Sequence, residues 1–314
     1  MMLAGFANNT LMIVYRQVIP EHDFNRQVCI MNMLLSIPCS ILALGAAKIF
    51  DMAADSSDNA FFLTFLILNL ISFCFEIPAF IELNKIAIPQ VEKKNVAKFS
   101  WEDMFKPYLD AKYRDLLIII VWRAILNGFM AAYITIYMLQ VRNYSITMIT
   151  TLSIVLCLLG DCVSPVTGKI TDRIGYAKMF LILSLACLPG FIMLVAGWVH
   201  GIFMLFIFAF LTWDMGSTFF GRILNQTAYA AASKLTNPDY SSYYVSSFSL
   251  CNNGGLFIGS ILGSCFYTIF LNRAGQDNLH QVYQNFFIVC LVFMLVLIAL
   301  CTFYWYRNRK RDKQ

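Results

Sequence analysis

The chain has 314 residues, of which 59% are hydrophobic and only 13% are charged, and its mean hydropathy is +0.67. A water-soluble domain cannot hide that much apolar surface, so the composition predicts an all-α integral membrane protein in the lipid bilayer. The net charge of +5 follows the expected membrane topology, so we expect no nucleic-acid partner.

Nine apolar segments follow one another along the chain. They are Met1–Tyr15, Cys29–Phe50, Ala60–Leu83, Leu116–Leu139, Ser145–Val166, Met179–Trp198, Ile202–Ala232, Tyr240–Leu271 and Asn285–Tyr306. A helix needs about 20 apolar residues to cross the hydrocarbon core, and the first segment is short by that measure. Because it also contains Asn8 and Asn9, we expect it to be the second half of a helix whose first half is absent.

The basic residues determine the expected orientation. With the C-terminal tail in the cytoplasm, 18 of the 23 Lys and Arg residues fall on the inner side and 3 on the outer side. Cytoplasmic loops are enriched in Lys and Arg. The sequence therefore predicts a multi-pass protein of the plasma (cytoplasmic) membrane with its N-terminus outside and its C-terminus in the cytoplasm.

Neither the cysteines nor the histidines indicate a catalytic or metal site. Most of the ten cysteines lie inside apolar segments without a C-x-x-C pair, as expected of small packing residues. The three histidines lie at or near loops, and the sequence has no H-E-x-x-H, G-x-S-x-G or phosphate-binding G-x-x-x-x-G-K-[ST] pattern. We expect no metal, no cofactor, no enzymatic activity and no ATP-driven pumping.

An eleven-residue charged stretch from Gly168 to Lys178 joins the fifth and sixth apolar segments, and we expect it to be a turn at the membrane surface. Gly168 and Gly175 permit tight backbone geometry and close helix approach. Asp172 is suited to cap or pair with a helix end, while Arg173 and Lys178 are suited to face lipid headgroups. An ordinary basic inner loop is the simpler alternative.

The spacing of this stretch, G-x-x-x-D-R-x-G-x-x-K, resembles the cytoplasmic-loop motif of the major facilitator superfamily of secondary transporters. The family usually has a basic residue directly after the second glycine, where Tyr176 stands here. The resemblance implies a bundle of twelve helices in two halves that moves a solute by alternating access. It also implies that Asp172 and Arg173 form an inner latch whose contacts hold the outward-open state.

The same resemblance implies a division of the chain. Residues 1–83 match a partial N-terminal half (family helices four to six), 84–115 a cytoplasmic linker, 116–306 a complete six-helix C-terminal half, and 307–314 a basic cytoplasmic tail. On this register the first three family helices are missing. Either the chain is an inactive fragment of a longer transporter, or it is a short form that assembles with itself or with a partner.

The linker contains a predicted short helix. Ser100-Trp-Glu-Asp103 is a capping-box pattern, and Trp101, Phe105, Tyr108 and Leu109 recur at helical spacing. The pattern predicts an amphipathic helix on the inner membrane surface. A flexible linker with a few hydrophobic residues is the alternative.

Ionisable residues inside a membrane are costly, so those within the spans are candidates for ion coupling. Arg123 and Asp161 have similar expected depths on consecutive antiparallel helices, which predicts a salt bridge between them. Asp214 has apolar surroundings and is suited to carry a proton, with permanent pairing to Arg222 or another cation as the alternative. We expect a proton or a sodium ion as the coupling ion.

Amide and aromatic side chains mark a candidate solute-facing surface. They are Tyr133, Tyr137, Trp213, Asn225, Gln226, Asn252 and Asn253. Amides both donate and accept hydrogen bonds, and aromatic rings stack on flat solutes. Hydrogen bonding between helices and plain packing explain the same residues without a solute.

Gly255, Gly259 and Gly263 form a stripe of small residues that lets a second helix approach closely. In the family this helix packs against helix two, which is missing here, so we expect a groove that faces lipid or a second chain.

Two functions follow as hypotheses. The first is a transmembrane transporter of a small solute. The second is a non-transporting binding or scaffold protein that associates through the exposed glycine groove.

Overall fold

The structure is a computed structural model that describes residues 24–54, 56, 58–85, 101–201, 207, 219–236, 240–275 and 278–311. All elements in these ranges are helical. They are α1 (Phe24–Ala54), α2 (Asp58–Lys85), α3 (Trp101–Leu109), α4 (Ala111–Ile136), α5 (Ile146–Ile174), α6 (Tyr176–Val195), α7 (Phe219–Leu235), α8 (Ser241–Ala274) and α9 (Leu279–Arg311). A π-helical turn, Tyr137–Val141, extends α4.

Six of these helices, α1, α4, α5, α6, α8 and α9, are long and apolar enough to cross a membrane. This confirms an all-helical, multi-pass membrane protein. Three further crossings stay predictions. Met1–Tyr15 lies outside the described residues, and the side chains of Ala60–Leu83 and the residues of Ile202–Ala232 are described only in part.

Helix α4 forms the centre of the bundle, and α8 is its most extensive neighbour. Leu116, Ile120 and Phe129 of α4 are fully buried. A Cβ atom on Gly255 would lie 2.8 Å from the Val121 carbonyl oxygen, and one on Gly263 would lie 2.7 Å from that of Phe129. Because residue numbers rise together on both sides of this contact, α4 and α8 run parallel.

The expected open groove along the glycine stripe is wrong. Gly255, Gly259 and Gly263 are all buried, and they face the backbone of α4. Gly128 of α4 contributes from the other side, since a Cβ atom there would lie 2.2 Å from the Leu256 carbonyl oxygen. The glycines therefore permit a close approach between α8 and α4 of the same chain.

Helix α9 runs antiparallel to α4 and closes a second side of the core. The indole Nε1 of Trp122 donates to the Phe293 carbonyl oxygen at 2.9 Å. The ring of Phe129 stacks on that of Phe286 with centroids 4.6 Å apart. At one end Arg307 Nη1 lies 2.8 Å from Asp115 Oδ1, which fixes the register of the two helices.

Helix α1 packs along α5 and caps its first turn. The backbone amides of Ile146 and Thr147 donate to the two carboxylate oxygens of Asp51, each at 2.9 Å. The Ser145 hydroxyl also accepts from the amide of Met148 at 3.1 Å. Asp51, an acidic residue of α1, thus accepts from backbone amides of another helix's first turn that have no partner within that helix.

The charged stretch is a much tighter turn than expected. Residues Gly168 to Ile174 continue α5, and α6 begins at Tyr176. Gly175 alone makes the turn, with φ 85° and ψ 149°, and its amide donates to the Thr171 carbonyl oxygen. Gly168 is helical, and a Cβ atom there would meet none of the described residues within 4 Å, so its expected close-approach role is wrong.

The predicted helix in the linker is present as α3. Asp110 separates it from α4 and caps α4 by accepting from the amide of Lys112 at 2.9 Å. Lys106 Nζ lies 2.6 Å from Asp103 Oδ1 and 3.6 Å from the ring centroid of Tyr240, which precedes α8. The Asp103 carboxylate and the Tyr240 side chain raise the pKa of Lys106. Helix α3 is therefore held against the bundle.

Candidate functional site

Arg123 is the most buried cationic side chain among the described residues, with 2% of its surface exposed. It projects from α4 near the middle of the Ala111–Val141 span. Its Nη2 donates to Asn225 Oδ1 of α7 at 3.0 Å and to Asn252 Oδ1 of α8 at 3.3 Å. One guanidinium nitrogen thus joins three helices inside the apolar core.

Asp161 of α5 is also buried within a span, with 1% of its surface exposed. Its Oδ1 accepts from Gln226 Nε2 of α7 at 2.9 Å. Since Asn225 and Gln226 are neighbours on α7, that helix contacts both Arg123 and Asp161 through adjacent amides. The predicted direct salt bridge between Arg123 and Asp161 stays a prediction.

Two buried amide oxygens close to these charges accept no hydrogen bond within the described part of the chain. One is Oδ1 of Asn127, a residue with 2% of its surface exposed that lies one turn beyond Arg123 on the same face of α4. The other is Oε1 of Gln226, whose Nε2 is the donor to Asp161. Leaving such an acceptor unsatisfied costs about 1–3 kcal/mol.

These side chains form what we call the polar cluster. Its members are Arg123, Asn127, Asp161, Asn225, Gln226 and Asn252. They come from α4, α5, α7 and α8, and the formal charges of Arg123 and Asp161 cancel. Polar groups in this part of a membrane protein are expensive unless they are paired. The polar cluster is therefore the candidate functional site of the chain.

The structure separates two asparagines that the sequence could not distinguish. Asn252 is buried and accepts from Arg123, whereas its neighbour Asn253 is exposed on the outside of α8. Trp213 and Asp214 lie outside the described residues. Arg222 lies on α7, but its side chain is outside what the structure describes.

The two predicted solute-facing tyrosines of α4 pack against other rings. Tyr133 stacks on Tyr267 with centroids 4.8 Å apart. Tyr137 is 1% exposed, meets the ring of Phe287 edge-on at 5.0 Å, and its hydroxyl accepts from Arg142 Nε at 3.0 Å. These contacts correspond to the packing alternative for both residues.

The turn at Gly175 is linked to α7 through Lys234, a residue that no sequence motif singled out. Lys234 Nζ lies 3.7 Å from Asp172 Oδ1 and 5.4 Å from the ring centroid of Tyr176. Arg173 and Lys178 are both exposed. The only sequence signal for Lys234 was its position in an inner loop, because its distance from Asp172 depends on how α5 and α7 pack.

Among the described residues, no group of three or more His, Cys, Asp or Glu side chains is arranged to hold a metal ion. Comparison with models of protein families, with curated proteins and with solved structures found no match. The described residues form an all-helical, multi-pass membrane protein with a charge-balanced polar cluster in its core.

Proposed function

We propose that the chain works as a secondary transporter, or as the larger part of one, that moves a small solute across the membrane by alternating access. The single observation that carries the proposal is the contact of Arg123 with Asn225 and Asn252. A cation that joins three helices by hydrogen bonds in the middle of a span is costly to keep for packing alone.

The composition of the polar cluster supports a binding role over a purely structural one. A structural network is expected to satisfy its own acceptors, since each unsatisfied one weakens the fold. Asn127 Oδ1 and Gln226 Oε1 accept nothing from the described residues. The scaffold alternative loses its support, because α4 already fills the glycine stripe on which it depended.

The resemblance to the major facilitator superfamily enters the proposal through the turn between α5 and α6. We propose that Asp172, together with Lys234, acts as a latch on the cytoplasmic side. Both side chains are more than half exposed, and such ion pairs contribute only about 0–1 kcal/mol, so the contact is weak enough to open during a cycle. The basic residues at this end support an inner location, with the C-terminus on the cytoplasmic side of the plasma membrane.

For ion coupling we propose a proton or a sodium ion, with Asp161 and Asp214 as candidate carriers and Arg123 and Arg222 as their candidate counter-charges. Asp161 is supported by its burial and by its hydrogen bond with an uncharged amide, that of Gln226. Asp214 is supported by its position in an apolar segment of the sequence.

Reconstituted vesicles test the proposal even while the solute is unidentified. The protein is placed in liposomes that contain a pH-sensitive dye, an inward proton gradient is imposed, and a panel of small solutes is added outside. We expect at least one solute to accelerate acidification of the lumen, and Asp214→Asn to abolish that acceleration if Asp214 carries the proton. Folded protein that shows no solute-dependent proton or solute flux in either gradient direction, with sodium also tested, contradicts transport.

A further inference from the structure

We propose that the polar cluster binds a neutral solute that carries hydrogen-bond donors, such as a polyol or a sugar, in preference to an anion or a cation. The inference rests on the proposed function, because it names the class of solute for the same site. Its evidence is the kind of atom that the polar cluster leaves unsatisfied, together with the sum of its charges.

The unsatisfied atoms of the polar cluster are two acceptors and one donor, the Nε of Arg123, which donates to none of the described residues. Asn127 Oδ1 and Gln226 Oε1 are buried and accept no hydrogen bond from the described residues. They come from α4 and α7, the two helices that the contact between Arg123 and Asn225 joins. An amide oxygen is satisfied by a hydroxyl or amine hydrogen, and never by a carboxylate or phosphate oxygen. A solute that fits therefore brings donors for the two amide oxygens and an oxygen that accepts from Arg123 Nε, and a hydroxyl group supplies both.

The charge balance argues against a charged solute. Arg123 and Asp161 are both buried, and their formal charges cancel within the polar cluster. A solute with a net charge would bring an uncompensated charge into a low-dielectric site. There the free-energy cost of desolvating the charge exceeds the interaction energy that neutral amides provide. A cationic amine would in addition be repelled by Arg123, one turn from Asn127.

An anion meets a further obstacle. Arg123 Nη2 already donates to Asn225 Oδ1 and Asn252 Oδ1. A carboxylate that took these donors would displace two amide oxygens, and one that accepted from Arg123 Nε instead would still leave Asn127 Oδ1 and Gln226 Oε1 without a donor. Hydroxyl groups instead complete the existing network, since each donates to one amide oxygen and accepts elsewhere.

Matched solute triplets separate the three charge classes. Glycerol is compared with serinol and glycerate, and D-glucose with D-glucosamine and D-glucuronate, so that each skeleton is tested neutral, cationic and anionic. The full chain in lipid nanodiscs is heated with each solute, and the shift of the unfolding midpoint is measured against concentration. We expect a neutral member to half-saturate at a concentration at least about tenfold lower than its charged partners.

Two variants show whether the shift arises at the polar cluster. Asn127→Leu removes one acceptor, so the stabilisation by the neutral solute should disappear, whereas a non-specific osmolyte effect would persist. Asn127→Asp gives the polar cluster a net negative charge, so the cationic member of the triplet should become the strongest binder. Gln226→Glu repeats the charge change from α7 in case Asn127→Asp fails to fold.

The proposal is overturned if a charged member binds the wild-type chain best, if no member binds it, or if both charge variants keep the wild-type order. Uptake into vesicles is measured separately with the same triplets. A neutral solute that binds without being taken up contradicts transport and leaves the solute class standing. A charged solute that is taken up contradicts the solute class and leaves transport standing.

Discussion

Gly259 of α8 lies so close to Ile125 of α4 that a Cβ atom on Gly259 would stand 2.1 Å from the Ile125 carbonyl oxygen. No side chain fits at that distance without separating the two backbones. The contact holds α8 at the position where Asn252, two turns earlier on the same helix, reaches Arg123. The close approach of these two helices therefore positions the polar cluster.

Gly259→Ala should destabilise the protein by roughly 1–3 kcal/mol, because the added methyl group overpacks a backbone contact. The measurement is thermal unfolding in detergent. Gly254→Ala on the same helix is the matched control, since a Cβ atom there would meet no atom of the described part of the chain within 4 Å. Alanine has the higher helix propensity, so the control should be neutral or more stable by up to about 1 kcal/mol. Equal effects of the two changes would contradict the close approach.

Asn252→Leu should weaken both stability and transport, whereas Asn253→Leu should change neither appreciably. The first change removes the oxygen that accepts from Arg123 at 3.3 Å, and the second alters an exposed side chain. A double-mutant cycle with Arg123→Met should give a coupling energy of about 0.5–3 kcal/mol for Asn252 and about zero for Asn253. A cycle that couples both asparagines equally to Arg123 would rule out the described register of α8.

Gly175→Ala should cost about 1–3 kcal/mol, because φ 85° with ψ 149° is a backbone conformation that only glycine adopts readily. Gly168→Ala, in the same charged stretch, should be tolerated or stabilising, since Gly168 is helical and open. The unfolding midpoints of both variants in detergent provide the comparison. If Gly168→Ala is the more damaging change, the turn is wider than a single residue.

Asp172→Ala should slow conformational cycling more than it lowers solute affinity, because the latch pairs two exposed side chains outside the polar cluster. The initial rate of uptake and the half-saturating solute concentration separate the two effects. Exchange of the charges in Asp172→Lys with Lys234→Asp should restore part of the rate that either single change removes. An equal loss of affinity, or no rescue by the exchange, argues against the latch.

Sequence patterns were sufficient to predict the features that depend on interactions between residues close together in the chain. Long apolar segments predicted α1, α4, α5, α6, α8 and α9, because a helix satisfies its own backbone in lipid. The capping box at Ser100 predicted α3. The end of α5 was placed too early, since charged residues in an inner segment were taken as loop although Gly168 to Ile174 remain helical.

Features that depend on how the helices pack could not be predicted from such local sequence patterns. Burial of Asn252 and exposure of Asn253 follow from the rotation of α8, which the glycine contacts with α4 determine. No sequence pattern connects Asp51 with α5, yet it caps that helix, which begins 95 residues later. The glycine stripe was recognised as a close-contact surface, but its partner inside the chain was not.

Sided labelling of Cys157 tests alternating access most directly. This half-buried native cysteine lies one turn before Asp161 on the same face of α5, and the other nine cysteines are replaced. A membrane-impermeant maleimide is added to one side or the other of oriented vesicles, with Cys265, exposed on the outside of α8, as a single-cysteine control facing lipid. We expect Cys157 to be labelled from both sides. A solute that the protein accepts should raise the labelling rate from one side and lower it from the other. Labelling from one side only, or from neither, would contradict alternating access.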